Sequence, residues 1–484
     1  MSERRPVRTA VAAAMAGALM AGCINLAPSY QRPAAPVAST YPPETLPATP
    51  TGAVAAADLD WHQFYADPRL KRLIEAGLVN NRDLRIAVLN IEQARALYQV
   101  RRADELPTLG AGFTAQRAPA LNGKLVNTYA VGVAVSSYEI DFFGRIRNLS
   151  EAALAQYLAT AEARKTVHIT LVSSIASAYL AVLADDEQLR VTRQTLATRE
   201  DSLRLTKLKF DYGATSELDY RQAESLLEGA KAALAQALRQ RSQDENALVQ
   251  LIGQPLPPDL PPPLPLDSAQ VTADLPAGLP SELLERRPDI RAAEESLISA
   301  NANIGAAKAA FFPHITLTGT FGTASTELSG LFKGGTWAFT GTAQALQTIF
   351  DYGRNRANLD VANVNRDIAV AQYERAIQAA FREVADALAG RATLGEQLRA
   401  QIAQANAESI RFRLSDLRYR NGVASYLELL DAQRALFVAQ LAVVQIQEAQ
   451  VQNLVQLYRA LGGGWTEPAT AATAAASAPA ARTP

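Results

Sequence analysis

A chain that says nearly the same thing twice can only fold into an architecture assembled from two copies of one unit. Here Asp141-Phe142-Phe143-Gly144-Arg145 returns as Phe350-Asp351-Tyr352-Gly353-Arg354, about 209 residues later. Tyr212-Gly213-Ala214-Thr215-Ser216-Glu217-Leu218-Asp219 returns as Asn421-Gly422-Val423-Ala424-Ser425-Tyr426-Leu427-Glu428. Asp83-Leu84-Arg85 and Pro107 recur as Asp289-Ile290-Arg291 and Pro313. The order of hydrophobic periods inside the unit then decides what the unit is.

Residues 67–105 read as helix, with Leu70, Leu73, Ile74 and Leu78 at three-to-four spacing, and Pro107 ends the run. The period then drops to two. Leu109, Ala111, Phe113 and Ala115 alternate with Thr108, Gly110, Gly112 and Thr114. Beyond a polar loop through Asn122-Gly123, Tyr129, Val131, Val133 and Val135 alternate with Ala130, Gly132, Ala134 and Ser136. The second copy repeats the pattern. Ile315, Leu317, Gly319 and Phe321 alternate with threonines, as do Trp337, Phe339 and Gly341 with Ala338, Thr340 and Thr342. Runs of about 9–10 residues match a tilted transmembrane strand. An edge hairpin on a soluble domain is the plainer reading of one such pair. Its recurrence, with Gly and Thr on one face, favours membrane strands.

After each hairpin the chain turns helical and stays so. Residues 145–211 contain no Pro and no Gly, roughly 67 residues or about 100 Å of helix. Residues 354–418 form a second such rod, with Gly390 and Gly395 inside it. Lengths like these imply coiled-coil packing. Each rod ends at a glycine turn, Gly213 or Gly422, from which a second helix returns. The last helix carries a heptad seam through Leu429, Ala432, Leu436, Ala439, Val443 and Ile446.

The N-terminal 22 residues read as a targeting segment. Arg4, Arg5 and Arg8 precede a short apolar stretch, too short to span a bilayer. Leu19-Met20-Ala21-Gly22-Cys23 resembles a bacterial lipobox, with Met20 where Leu is usual, so Cys23 is the expected acylation site. It is the single cysteine, which excludes an intramolecular disulfide. Ile24 rather than Asp follows it, which favours the outer membrane. Residues 23–57, rich in Pro, Ala and Thr, read as a lipidated extended tether. The first repeat spans 58–254, a Pro-rich linker 255–280, the second repeat 281–464, and a low-complexity tail 465–484.

Two hairpins supply four strands, and four strands cannot close in lipid, where open sheet edges are not tolerated. The smallest single-chain barrels have eight strands. A dimer would give eight strands with a filled interior, and a trimer twelve with a lumen. The small, polar strand face suits a wet wall, so the trimer is preferred. A net charge of −1 implies no nucleic-acid partner. His62, His168 and His314 are not clustered at ligand spacing, and no arrangement of catalytic groups, metal ligands or cofactor motifs is evident. Gly462-Gly463-Gly464 lacks the Lys and Ser/Thr of a phosphate loop and reads as a helix stop.

Over essentially the whole mature chain the sequence resembles the TolC-like outer-membrane efflux factors, in their NodT-type lipoprotein branch. The marks are Pro28-Ser29-Tyr30-Gln31-Arg32-Pro33 after Cys23, Arg287-Pro288-Asp289-Ile290-Arg291-Ala292-Ala293-Glu294, the duplicated Asp-Phe/Tyr-Gly-Arg, and the stretch from Tyr419 to Gln433. The resemblance implies a mainly helical chain with membrane strands. A homotrimer would form a twelve-stranded outer-membrane barrel on a long periplasmic α-helical barrel. It implies the exit duct of a tripartite pump, lipid-anchored in the outer membrane. A periplasmic adaptor and an inner-membrane transporter, of the RND or another class, would serve it. By motif position Asp431 resembles the family's constricting acid, with Leu427 one turn before it and Glu428 in the same turn. Asp219 and Tyr419 resemble a pair that ties neighbouring helices shut. Ala424 stands where some members carry an arginine, for which Arg418 or Arg420 is a candidate substitute. Gly213, Ser216, Gly422 and Ser425 would form the tips on which the adaptor docks. The competing readings are a duct for type I polypeptide secretion, a coiled-coil lipoprotein stalk without a pore, and a periplasmic adaptor. Adaptors should carry lipoyl-like β segments around one hairpin, whereas here each copy has its own strand pair.

Overall fold

A computed structural model describes residues 24–42, 56–119, 123–267, 270–271, 275–276 and 280–465. Cys23, the targeting segment before it and the tail from 466 onward lie outside the described residues. The helices are α1 (Trp61–Phe64), α2 (Pro68–Asn80), α3 (Arg82–Ala103), α4 (Arg145–Asp211), α5 (Glu217–Ile252), α6 (Pro280–Arg286), α7 (Pro288–Ala309), α8 (Arg354–Arg420) and α9 (Tyr426–Ala460). The strands are β1 (Leu109–Pro119), β2 (Leu125–Ile140), β3 (His314–Ser325) and β4 (Trp337–Leu346). Each repeat therefore runs helix, β-hairpin, long helix, tight turn, helix. The rods α4 and α8 are both 67 residues long.

The expected single helix over 67–105 is two. Asn81 divides them because its side chain serves both ends and a neighbour. Its backbone is extended, its Oδ1 accepts from the Leu84 N–H at 2.9 Å, and its Nδ2 donates to the Leu251 carbonyl at 2.8 Å. An Asn that finds such partners favours a cap over the helix interior.

The chain forms two compact units. The first takes residues 24–34, Leu89–Ala161 and Ala292–Arg375, and the second takes Ala35–Val88, Glu162–Arg291 and 376–465.

The first unit holds an antiparallel sheet in the order β1-β2-β3-β4. Cross-strand partners share a face, so the register decides whether four separate alternations add up. They do. Gly112, Gly132, Gly322 and Ala338 form one row, and Thr114 pairs with Ala130 and Thr320 with Thr340 on the same face. Phe113 pairs with Val131, Val133 with Phe321, and Phe321 with Phe339 on the other. One face is small and polar, the other apolar and aromatic. At the Gly132–Gly322 pair a Cβ on Gly322 would lie 2.1 Å from the Val131 carbonyl oxygen, so only glycine fits this crossing. The strand β2 runs 16 residues, longer than its alternation indicates. A bulge between Val135 and Tyr138, with Ser137 at φ 51°, slips the phase and lets pairing resume at Leu317. The outer edges of β1 and β4 carry no partner strand among the described residues.

The stretch after Cys23 carries neither helix nor strand over residues 24–42, and it is docked rather than free. Ile24 N–H donates to the Phe142 carbonyl at 3.2 Å. The Tyr30 hydroxyl donates to Glu294 at 2.9 Å, and Arg32 grips the same carboxylate through two bonds of 2.8 and 2.9 Å. Within the second unit Tyr41 is buried and stacks on Phe381 with ring centroids 5.1 Å apart. The Tyr30, Arg32 and Tyr41 side chains thus act as contacts.

The Pro-rich linker belongs to the second unit and is tied down by Asp67. This fully buried carboxylate caps α2 through the Arg69 N–H, accepts from the Tyr179 hydroxyl at 2.6 Å, and accepts from the Leu264 N–H at 3.2 Å. Arg287 plays a matching part. It bonds Asp289 at 2.6 Å, Glu383 at 2.9 Å and the last-turn carbonyl of Ala460 at 3.0 Å. Three acceptors for one buried guanidinium offset its desolvation.

Candidate functional site

The residues singled out by motif gather at two helical hairpins, both in the second unit: α4 to α5 through Gly213, and α8 to α9 through Gly422. The turns are the same device twice. Ala214 N–H bonds the Lys209 carbonyl at 2.7 Å and Gly213 N–H that of Phe210 at 2.9 Å. Val423 N–H bonds Arg418 at 2.9 Å and Gly422 N–H bonds Tyr419 at 3.1 Å. This nested pair of bonds satisfies carbonyls that a helix end otherwise leaves open, and it needs a left-handed residue. Gly213 and Gly422 supply it with φ of 70° and 75°. A Cβ on either would meet nothing within 4 Å, so backbone conformation alone demands glycine here.

Each returning helix starts at a serine. Ser216 accepts from the Asp219 N–H at 3.2 Å, while Thr215 donates to the Asp219 carboxylate at 2.6 Å. Ser425 has the extended backbone of a cap but makes no side-chain cap bond. The tips are open to solvent, with Tyr212, Leu218, Val423 and Leu427 all exposed.

Behind the second tip lies a small core of Ala223, Leu226, Tyr419, Tyr426, Leu429 and Leu430, with Leu203, Leu205 and Phe412 packed against it. Tyr419 and Tyr426 face each other at 5.5 Å. The Tyr419 hydroxyl lies 3.4 Å from the Thr206 hydroxyl, and the Lys209 ammonium sits 3.8 Å above its ring and donates to its carbonyl. Burial raises the Tyr419 hydroxyl pKa, as does the Asp219 charge, while hydrogen bonds from Thr206 and Thr215 lower it. The structure thus brings Asp219 and Tyr419 together within one chain, linked through Thr215.

The acids of the second tip are not free. Asp431 is paired with Arg411, twenty residues back on α8, and Arg411 also holds Glu408 at 3.1 Å. Glu428 pairs with Arg418 at 3.1 Å. Arg420 instead pairs with Asp416 on its own helix at 2.7 Å. Of the two candidates for an arginine tie near Ala424, Arg418 makes a contact between helices and Arg420 does not. Leu427 projects outward, 61 % exposed. The sequence reading missed Arg411. Its signal was hairpin register, since Arg411 and Asp431 lie at similar distances on either side of Gly422. Arg199 was missed too; it is buried on α4 and reaches the Leu226 carbonyl at 3.0 Å.

Comparison with known proteins identifies the family of the chain. The family model described as outer membrane efflux protein matches residues 73–254 and 279–463, one match per repeat. Outer membrane protein OprJ of Pseudomonas aeruginosa is 45% identical over 459 residues, covering 93% of this chain and 95% of that protein. The toluene efflux pump outer membrane protein TtgC of Pseudomonas putida is 44% identical over 460 residues, covering 93% and 94%. Among solved structures, a membrane protein from Pseudomonas aeruginosa superposes with a TM-score of 0.83 at 44% identity, covering 91% of this chain and 98% of that one. The open state of the Neisseria gonorrhoeae MtrE outer membrane channel gives 0.82 at 42% identity, with the same coverage. With both repeats matched and its near-full-length relatives efflux channels, this chain belongs to the outer membrane efflux protein family and is an outer-membrane efflux channel.

Proposed function

We propose that three copies assemble into one lipid-anchored duct, whose strands close a twelve-stranded barrel and whose helical hairpins form its periplasmic conduit. The observation that carries the reading is the four-stranded sheet itself. It sorts its residues into an apolar face and a Gly/Thr face in register and leaves both outer edges unpaired among the described residues. Such a sheet is complete in lipid only when other copies supply the missing strands. The duct is passive. It exports small organic compounds, the class to which the toluene in one relative's name and the antibiotics in another's belong. An inner-membrane transporter delivers them through a periplasmic adaptor that docks at the tips around Gly213, Ser216, Gly422 and Ser425. Cys23 carries the lipid.

In this reading Leu427 and Asp431 narrow the resting conduit, because threefold symmetry turns one inward carboxylate into a ring that selects cations. Arg411 and Arg418 tie the second hairpin to itself, and Asp219, Thr215 and Tyr419 tie the first hairpin to the second. Planar-bilayer conductance of the full-length protein, wild type beside Asp431→Ala, tests it. Small cation-selective currents that grow in the variant are expected. Equal currents would move the constriction elsewhere. Absence of current from folded trimers of both would remove the duct.

A further inference from the structure

Above the second tip, a cavity of about 150 Å³ opens between α4, α8 and α9. Its lining includes Thr195, Thr198, Arg199, Ser409, Gln433 and Phe437. Arg199 is only 7 % exposed. One of its nitrogens is spent on the Leu226 carbonyl, and its guanidinium carbon lies 5.3 Å from the Phe437 ring. Its Nε is buried with no acceptor, and no carboxylate pairs with it among the described residues. The nearby charge is another cation. Arg434 repels Arg199 and, like it, is in no ion pair among the described residues. Gln433 is 6 % exposed, and its Oε1 is likewise buried without a partner.

An uncompensated buried cation is costly, and proteins normally answer it with a counter-charge. Arg287 in this same unit is answered in that way, by Asp289 and Glu383. Around Arg199 the answer is missing, while the space for one is present. The chemistry of the wall specifies what would fit. A guanidinium offers planar N–H groups matched to the oxygens of an oxyanion. Thr195 and Ser409 add hydroxyl donors, the Thr198 hydroxyl being spent on the Gln194 carbonyl at 3.0 Å, and the Gln433 amide can turn its NH₂ inward. Arg434, exposed and outside the lining, adds a second positive charge nearby, which favours a divalent anion over a halide.

We infer that this cavity is a binding site for a small inorganic oxyanion of the phosphate type, held by Arg199 with Arg434 as the outer cation. The occupant bridges α4 to the α8–α9 hairpin and reinforces the packing directly behind Tyr426. The inference stands apart from the channel reading, since every group involved lies within one chain.

The test uses full-length protein in detergent. Inorganic phosphate replaces chloride at constant ionic strength while the unfolding midpoint is followed, and phosphorus NMR reports broadening of the phosphate line. A saturable rise in midpoint with broadening is expected for wild type. Arg434→Gln, at an exposed position, should weaken the apparent affinity by about tenfold, the worth of one charge-assisted contact. Arg199→Gln should abolish both signals. If Arg199→Gln does not fold, Arg434→Gln alone carries the comparison. A rise that never saturates, or is equal in wild type and variants, is a general salt effect and overturns the site. No response overturns it as well. If that silence comes with trimers that Arg199→Gln dissociates, the pocket belongs to a neighbouring copy's carboxylate.

Discussion

The two hairpin tips share a backbone and differ in what holds them. At the first, Ser216 caps the returning helix and Thr215 satisfies Asp219, so its polar groups are settled within a few residues. At the second, Ser425 caps nothing, and the acids Glu428 and Asp431 depend on arginines from the other arm of the hairpin. The counterpart of Asp431 in the first repeat is the neutral Gln222, and that of Tyr426 is Glu217. Duplication preserved the turn and let one copy acquire a set of exposed ionic ties. Exposed pairs are individually weak, on the order of 1 kcal/mol or less, and can be broken without unfolding anything. The first tip is held by local hydrogen bonds, and the second by ion pairs across its hairpin.

Substitutions at matched positions of the two repeats test this contrast. The largest difference is expected between Tyr419→Ala and Phe210→Ala, the same position in the two repeats. Tyr419 is buried in a core, and truncating it should cost about 3–5 kcal/mol, read as lost hydrogen-exchange protection at the second tip. Phe210 is 37 % exposed, and its loss should cost less than half as much. Equal losses would mean that the tips are not distinct in packing. Next in size is conductance. Arg411→Gln, which frees Asp431, should change the open-channel current, whereas Gln222→Ala should not.

Acidity separates the tips from the bodies of the same hairpins. Asp185 on α4 is buried, with Asp244 of α5 and Glu448 of α9 as neighbouring carboxylates. Burial first, and the neighbouring carboxylates after it, push Asp185 up to about 7. An unfolded Asp titrates near ~3.9. Between those values the folded chain holds a proton that the unfolded chain has lost, so this site's contribution falls as pH rises and levels off above about 7. Asp185→Asn should therefore raise the unfolding midpoint at pH 8 and lose its advantage near pH 4. A difference independent of pH would show that Asp185 is not protonated in the fold. The smallest expected effect is at the caps. Ser216→Ala should cost about 1 kcal/mol, whereas Ser425→Ala should cost a few tenths at most.

What could be read from the sequence was whatever local periodicity or a glycine decides. The two strand pairs, the Gly-free and Pro-free rod over 145–211, and the turns at Gly213 and Gly422 appear where residue patterns placed them. The features that escaped depend on partners far away in sequence. Asn81 interrupts a helical pattern because Leu251 offers it a carbonyl. The bulge at Ser137 follows from the register against β3, which β2 alone does not encode. The stretch from Ile24 reads as a tether by composition, and only Glu294 reveals it as a docked strap. At the site, motif position located Asp431, but its pairing with Arg411 and the unanswered charge of Arg199 are tertiary facts.

The open edges of β1 and β4 have a genetic consequence. In the ring proposed above, a copy whose edge cannot pair harms more than itself, because it occupies a place that its normal siblings then cannot close around. A proline placed in β4, the edge that the proposed ring offers to a neighbouring copy, should therefore act as a dominant poison when expressed beside the intact gene. The same proline combined with a defect that prevents assembly should be silent.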